Sequence, residues 1–288
     1  MPLPHETPDE FLAALQLTTG RSGFRAELIE KDYYCSVVLQ LLFAGGGSPL
    51  CFKGGTALNK VHAGFYRLSE DLDFTLHGIG LSTRAGRSRA AEPFKRRFSR
   101  NAQLAPGLRV SEPLTGHNES KQYIAEICYP SLVTGRTGSI QIDIGLRERL
   151  MDAPVAGPVQ TLLINPLTGS AAMPAFPVSC LSLVETYAEK LRAALTRPEP
   201  AIRDLYDLWH ARRQGLVEVT EELLAKVHGK LEATEDPWVP LAGDRRRQFE
   251  QQLATELEPV LRPADFAEFR VEEAYAIVAD LEKRLGLQ

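Results

Sequence analysis

No apolar run in this sequence approaches the roughly 20 residues that a membrane-crossing helix needs. The longest such stretch covers residues 37–44 and is itself interrupted by Gln40. Met1, Pro2, Leu3, Pro4, His5 and Glu6 offer neither a basic start nor an apolar core for a secretory leader. A soluble, cytoplasmic protein with no membrane association is therefore expected. Cysteine is scarce. Cys35, Cys51, Cys128 and Cys180 form no CxxC pair and no ligand-like spacing to histidine, which argues against a zinc cage and a disulfide scaffold. Reduced, buried thiols are the expectation. The six histidines form no catalytic triad or metal pattern, and His62 and His210 are expected on helix surfaces. Neither sign of charge dominates: 33 basic residues against 37 acidic ones leave −4. That balance argues against coating nucleic acid by bulk charge. No internal repeat is visible.

What is present is ordinary globular material. Hydrophobic residues at 44% and charged residues at 24% of 288 suffice for a sizeable core in one large domain or two smaller ones. Apolar spacing predicts a helix over 25–44, stopped by Gly45, Gly46 and Gly47. A short apolar run, Leu50, Cys51 and Phe52, leads into Gly54 and Gly55, and a helical pattern resumes over 56–63. Alternation predicts strands over 72–76, 123–129 and 139–146. Residues 84–100 carry seven Arg or Lys against Glu92 alone, a local +6 on an expected solvated helix or loop. The five prolines over 154–177 read as a surface connector. Beyond them the pattern is helical. Ser182 and Glu185 form a candidate capping box for a helix to about 197, followed by helices over 201–214, 220–233, 244–257 and 263–285.

One stretch suggests chemistry. Paired glycines between a strand and a helix let backbone N–H groups approach a phosphate, and a helix N-terminus favours the anion. Asp71 and Asp73, two apart on a strand, project to one face. Adjacent carboxylates repel unless a divalent cation sits between them, and magnesium prefers carboxylates together with substrate phosphates. Asp143 lies on the polar face of a later strand. If the two strands are neighbours, three acids meet as in-line displacement at phosphorus requires.

Gly54-Gly55 followed by a helix and Asp71-x-Asp73 resembles the fingerprint of polymerase-beta-type nucleotidyltransferases. More narrowly, Lys53-Gly54-Gly55-Thr56-Ala57-Leu58 with Arg67-x-Ser69-x-Asp71-Leu72-Asp73-Phe74 resembles the AbiEii nucleotidyltransferase toxins, the group that includes the mycobacterial MenT toxins. Glu30-Lys31-Asp32-Tyr33 is similar to an early family segment. Ala188-Glu189-Lys190-Leu191 and Arg203-Asp204-Leu205-Tyr206-Asp207 are similar to later motifs. The resemblance implies an α/β (α+β) fold: a nucleotidyltransferase core with a mixed sheet over 1–150, the Pro-rich connector over 151–178, and a helical C-terminal domain over 179–288.

The resemblance also implies an activity. It is that of a toxin using magnesium or manganese to move nucleotides from a nucleoside triphosphate to the 3′ end of tRNA, blocking aminoacylation and translation. A cognate antitoxin of the AbiEi type, with a winged-helix part, is the implied partner. Carried over by motif, Gly54 and Gly55 hold the triphosphate, with Lys53, Thr56, Arg67 and Ser69 beside them. Asp71 and Asp73 bind metal, and Lys190 contacts phosphate. Either Asp204 or Asp207 completes the later acidic motif. Asp143 is a metal ligand, a base or a support, and Lys53 and Arg67 either touch substrate or pair with local carboxylates. A protein hydroxyl or small molecule as acceptor, or a non-catalytic nucleotide-binding module, are the competing readings. The 84–100 segment is a candidate contact for RNA phosphates.

Overall fold

A computed structural model describes residues 3–76, 82–146, 150–233, 237–241 and 244–287. The chain forms two compact units, one of Met1–Arg147 with Pro154–Cys180 and one of Glu148–Ala153 with Leu181–Gln288. The first contains α1 (Pro8–Ser22), α2 (Ala26–Phe43), β1 (Leu50–Lys53), α3 (Gly54–Ala57), β2 (Leu72–Leu76) and α4 (Arg84–Arg97). It continues with β3 (Arg109–His117), β4 (Gln122–Pro130), β5 (Thr137–Gly145), β6 (Val155–Val159) and β7 (Phe176–Cys180). The strands form one mixed sheet in the order β3-β4-β5-β2-β1-β7-β6. Pairs β2–β5 and β1–β7 are parallel, and the other neighbours are antiparallel.

Period-two alternation gives the centre of the sheet two different faces. Phe52, Phe74, Ile142, Ile144, Tyr123 and Ala125 line one face and are each at most 1% exposed. The registers Phe52↔Phe74, Leu72↔Ile142 and Tyr123↔Ile144 carry that apolar face across four strands. Lys53, Asp73, Asp143 and Gln122 belong to the opposite face and are only partly buried. Helix α2 is buried nearly all round, including two acids, Glu30 and Asp32. Glu30 accepts from Ser131 Oγ at 2.5 Å and from the Leu132 amide at 2.7 Å. Burial nevertheless raises its carboxyl above the usual range. All four cysteines are buried and none forms a disulfide, with the Cys35 thiol pushed up to about 12 by burial.

Three features of the first unit differ from the sequence reading. Residues 151–178 are more than a connector, because β6 and β7 lie within them and extend the sheet. Their prolines stop helices but are tolerated at a sheet edge, and Pro158 sits on the edge strand β6. The helix expected over 56–63 forms, but after the single α turn α3 it widens into a π turn, Leu58–His62, that carries Asn59 and Lys60 inside. Neither α1 nor β3 stands out in the sequence. Thr18, Thr19 and Gly20 blur the apolar period of the first, while Pro113 and two register shifts disrupt the second.

The second unit is helical: α5 (Leu183–Thr196), α6 (Ile202–Arg213), α7 (Glu221–Ala233), α8 (Arg245–Gln251), α9 (Pro263–Glu268) and α10 (Val271–Arg284). Ser182 caps α5 through the Glu185 amide at 3.1 Å. The reciprocal half of the capping box does not form. Glu185 instead accepts from the amides of Met151 and Asp152 and pairs with Lys230 at 2.9 Å. The single helix expected over 263–285 breaks between α9 and α10, where Phe269 packs edge-on against Tyr206 and Trp209. Likewise the helix expected over 244–257 is α8 running into a π turn, Leu253–Leu257.

A buried ion pair fixes α2 to the turn after α3. Lys60 Nζ lies 2.7 Å from Asp32 Oδ1 and also donates to the Asp32 carbonyl and Ser36 Oγ. Both side chains are at most 2% exposed. Removing one partner strands the other charge, so Lys60→Met is expected to cost ~3–5 kcal/mol in urea unfolding. Adding Asp32→Leu to Lys60→Met should recover most of that loss. A double variant no more stable than the single one would refute this assignment.

Candidate active site

The registers gather the first group of residues. Lys53 pairs with Asp73 across β1 and β2, and Asp73 pairs with Asp143 across the parallel strands β2 and β5. In-register neighbours share a face, so a lysine and two carboxylates form a row over three adjacent strands. Asp71 stands two residues before Asp73, and its carbonyl accepts the Thr56 hydroxyl at 2.5 Å. Thr56 is only 1% exposed. Its hydroxyl therefore ties α3 to the segment carrying both acids.

The two glycines are explained by what lies against them. Gly54 has φ +78°, a conformation that L side chains rarely adopt, and a Cβ there would overlap Asp73 Oδ2. A Cβ on Gly55 would overlap the Arg67 guanidinium and come within 3.0 Å of Ser69 Oγ. Arg67 is 2% exposed and donates to the Leu68 carbonyl at 3.2 Å. Lys53, Gly54, Gly55, Thr56, Arg67, Ser69, Asp71 and Asp73 thus converge on one turn, with Asp143 beside them.

This donor set can be tested against magnesium. Among the described residues, no three His, Cys, Asp or Glu side chains form a ready cluster for a metal ion. Magnesium does not need one, since it usually takes one or two carboxylates and completes its shell with water and substrate phosphates. The Asp73–Asp143 pair on adjacent strands fits that requirement, and the bare backbone of Gly54 and Gly55 lets Asp73, Arg67 and Ser69 close in on the turn beside it.

Lys190, Asp204 and Asp207 form a second group, inside the helical unit. Lys190 Nζ on α5 lies 2.5 Å from Asp204 Oδ1 and 2.9 Å from Asp207 Oδ2 on α6. Arg197 Nη1 approaches the other Asp204 oxygen at 2.8 Å. Neither acid is exposed: Asp204 is 5% exposed and Asp207 fully buried. Burial by itself would raise the Asp204 carboxyl. Lys190 and Arg197 outweigh it and hold that carboxyl below the usual range. Both acids grip the same ammonium, so the choice between them is no longer one of position. Sequence reasoning missed Arg197, because its only signal is a basic residue one step past the end of α5.

His210, expected at a helix surface, is half-buried beside Tyr206. Burial lowers its pKa from 6.5 to about 4, against the opposing pull of Asp207 and Asp265 and with smaller contributions from Arg262 and Arg213. Between those pH values the unfolded chain takes up a proton that the folded one refuses, so stability falls on acidification from 6.5 toward 4. His210→Gln should remove this loss. Thermal midpoints at pH 7 and pH 5 are expected to drop less in the variant than in the wild type, and an equal drop would refute the assignment.

Comparison with known proteins follows the geometry. Residues 39–277 match the family model described as nucleotidyl transferase AbiEii toxin, type IV TA system. A candidate nucleotidyltransferase from H. pylori shares the fold at TM-score 0.52 and 15% identity, over 91% of this chain and 98% of that one. JHP933 from Helicobacter pylori does so at TM-score 0.52 and 14% identity, over 92% and 96%. No curated protein matches. At such identities the structural likeness is one of fold, whereas the family match spans most of the sequence: the chain belongs to the AbiEii nucleotidyltransferase toxins of type IV toxin–antitoxin systems.

Proposed function

We propose that this nucleotidyltransferase adds nucleotides from a nucleoside triphosphate to the 3′ end of tRNA in the cytoplasm, in a magnesium-dependent reaction that blocks aminoacylation and translation. The observation that carries the proposal is the Asp73–Asp143 register pair beside the bare backbone of Gly54 and Gly55. A terminal hydroxyl oxygen attacks the α-phosphorus, the bond to the β-phosphate oxygen breaks, and pyrophosphate leaves. A carboxylate of the Asp71, Asp73 and Asp143 group takes the hydroxyl proton. Backbone N–H groups of Gly54 and Gly55 hold the triphosphate, with Lys53, Arg67 and Ser69 as its polar surroundings. Magnesium or manganese, when bound by the acids, supplies charge neutralisation for the phosphates. Lys190 contacts phosphate in this reading, and its ion pairs with Asp204 and Asp207 fix its ammonium.

An antitoxin partner is entailed by the family, and we propose that it carries a winged-helix part. Among the described residues no helix is long and apolar enough to cross a membrane.

The transfer reading is tested by incubating the protein with each labelled triphosphate, magnesium and either total RNA or total protein. Label is expected at tRNA 3′ ends and should fall at least a hundredfold, by order of magnitude, in Asp71→Ala and Lys190→Ala. Label in protein alone would overturn the tRNA acceptor. Growth inhibition undiminished in both variants would overturn catalysis itself.

Helix α4 supports a nucleic-acid acceptor. Arg89 and Arg96 are exposed one heptad apart on α4, and Arg100, just past its end, is exposed and lies 3.8 Å from Glu112. Arg87 and Arg97 have other tasks, donating to the carbonyls of Glu119 and Leu42. Arg89→Ala with Arg96→Ala is expected to weaken tRNA binding uniformly across sequences. Each lost phosphate contact should reduce the salt slope by roughly 0.7–0.9. An unchanged slope in filter binding from low to high salt would remove α4 from the interface.

A further inference from the structure

The tip of the β3–β4 hairpin stores backbone strain next to the acidic row. Asn118, Glu119 and Ser120 have φ of +47°, +54° and +65°, three successive non-glycine residues in the left-handed region. Each such residue is costly, and strain of this kind persists only where its surroundings over-determine it. Here they do. Arg87, 7% exposed, donates from Nη2 to the Glu119 carbonyl at 3.0 Å and from Nη1 to the Ser82 carbonyl at 3.2 Å. The Leu146 amide donates to the Lys121 carbonyl at 2.8 Å, and the Lys121 amide to the Asn118 carbonyl at 3.0 Å.

The first strand residue after this clamped turn is Gln122. It pairs with Gly145, while Ile124 pairs with Asp143, so Gln122 and Asp143 are diagonal neighbours on one face. A long side chain spans that diagonal. Gln122 Nε2 donates to Asp143 Oδ2 at 2.5 Å, and Gln122 Oε1 accepts from Asn118 Nδ2 at 3.4 Å. The second contact sets which end of the amide faces the carboxylate.

We propose that Gln122 is a positioning residue for Asp143: the strained turn fixes its amide, and the amide fixes the rotation of the carboxylate beside Asp73. This rests on the reading that places Asp143 in the reacting site. Gln122 touches neither nucleotide nor acceptor in the proposal. It acts by claiming one Asp143 oxygen, as groups behind a metal-binding carboxylate do.

The test compares Gln122→Met, which keeps length but removes the donor, with Asp143→Ala and with the double variant, using full-length protein. Two quantities are read: Mn2+ affinity by electron paramagnetic resonance with a non-hydrolysable triphosphate present, and kcat for nucleotide transfer. Gln122→Met is expected to lower each by roughly 10–100-fold with little change in thermal midpoint. In the Asp143→Ala background the same substitution should cost nothing further. Wild-type values for Gln122→Met, or losses that multiply independently in the double variant, would overturn the proposal. Should Gln122→Met fail to fold, Gln122→Glu keeps the shape and sets an anion against Asp143, and wild-type Mn2+ affinity there would overturn it equally. If Asp143→Ala alone leaves both quantities intact while Asp71→Ala abolishes transfer, the placement of Asp143 in the site has failed, and the proposal with it.

Discussion

The absence of two β-carbons governs how closely charged side chains can lie against the turn after β1. Asp73 occupies the space that a side chain at Gly54 would fill, and Arg67 and Ser69 occupy that of Gly55. A carboxylate and a guanidinium pressed onto bare backbone hold the turn from both sides. Any larger residue would push them apart before it met anything else. The rest of the first unit serves this turn. The Thr56 hydroxyl anchors the acidic segment to it, and the Lys60–Asp32 pair fastens its far end to the buried helix α2.

Charged side chains are gathered by strand register in the sheet and by paired helices in the helical unit. In the sheet, Asp73 and Asp143 are set side by side by backbone register, and Gln122 on the next strand donates to Asp143. In the helical unit the acids come with their own cations, as in Lys190 with Asp204 and Asp207, Lys230 with Glu185 and Glu189, and Lys226 with Asp152. Burying a charge without a partner costs several kcal/mol, so such pairs are what a buried polar helix interface requires. The sheet pair lies on a partly accessible face.

Most of the acidic row was legible from alternation alone. Asp73 and Asp143 each sit between inward-facing apolar residues, and period two puts them on the opposite side. Their adjacency was conditional in the sequence, because strand order is a long-range property, and the β2–β5 register supplies it. The family resemblance found Lys190 and the two later acids without showing that they bind one another. Gln122 left no local signal: its role depends on a diagonal contact across two strands and on left-handed backbone at residues that are not glycine. The two strands within the Pro-rich stretch were hidden for a different reason, since proline speaks against regular structure everywhere except at an edge. The separation at α9 and α10 was equally hidden, because the helical period continues through a break that only the packing of Phe269 explains.

The two-faced sheet also limits how this architecture can change over evolutionary time. In β2 and β5 the apolar core and the acids interleave residue by residue, so inserting or deleting one residue in either strand exchanges the two sets. Such an event would turn carboxylates into the core and isoleucines outward in a single step. Lineages carrying this sheet are therefore free to lengthen or shorten the segments between strands while strand lengths stay fixed. Length variation among relatives should accordingly concentrate in those segments, such as the long excursion joining β6 to β7.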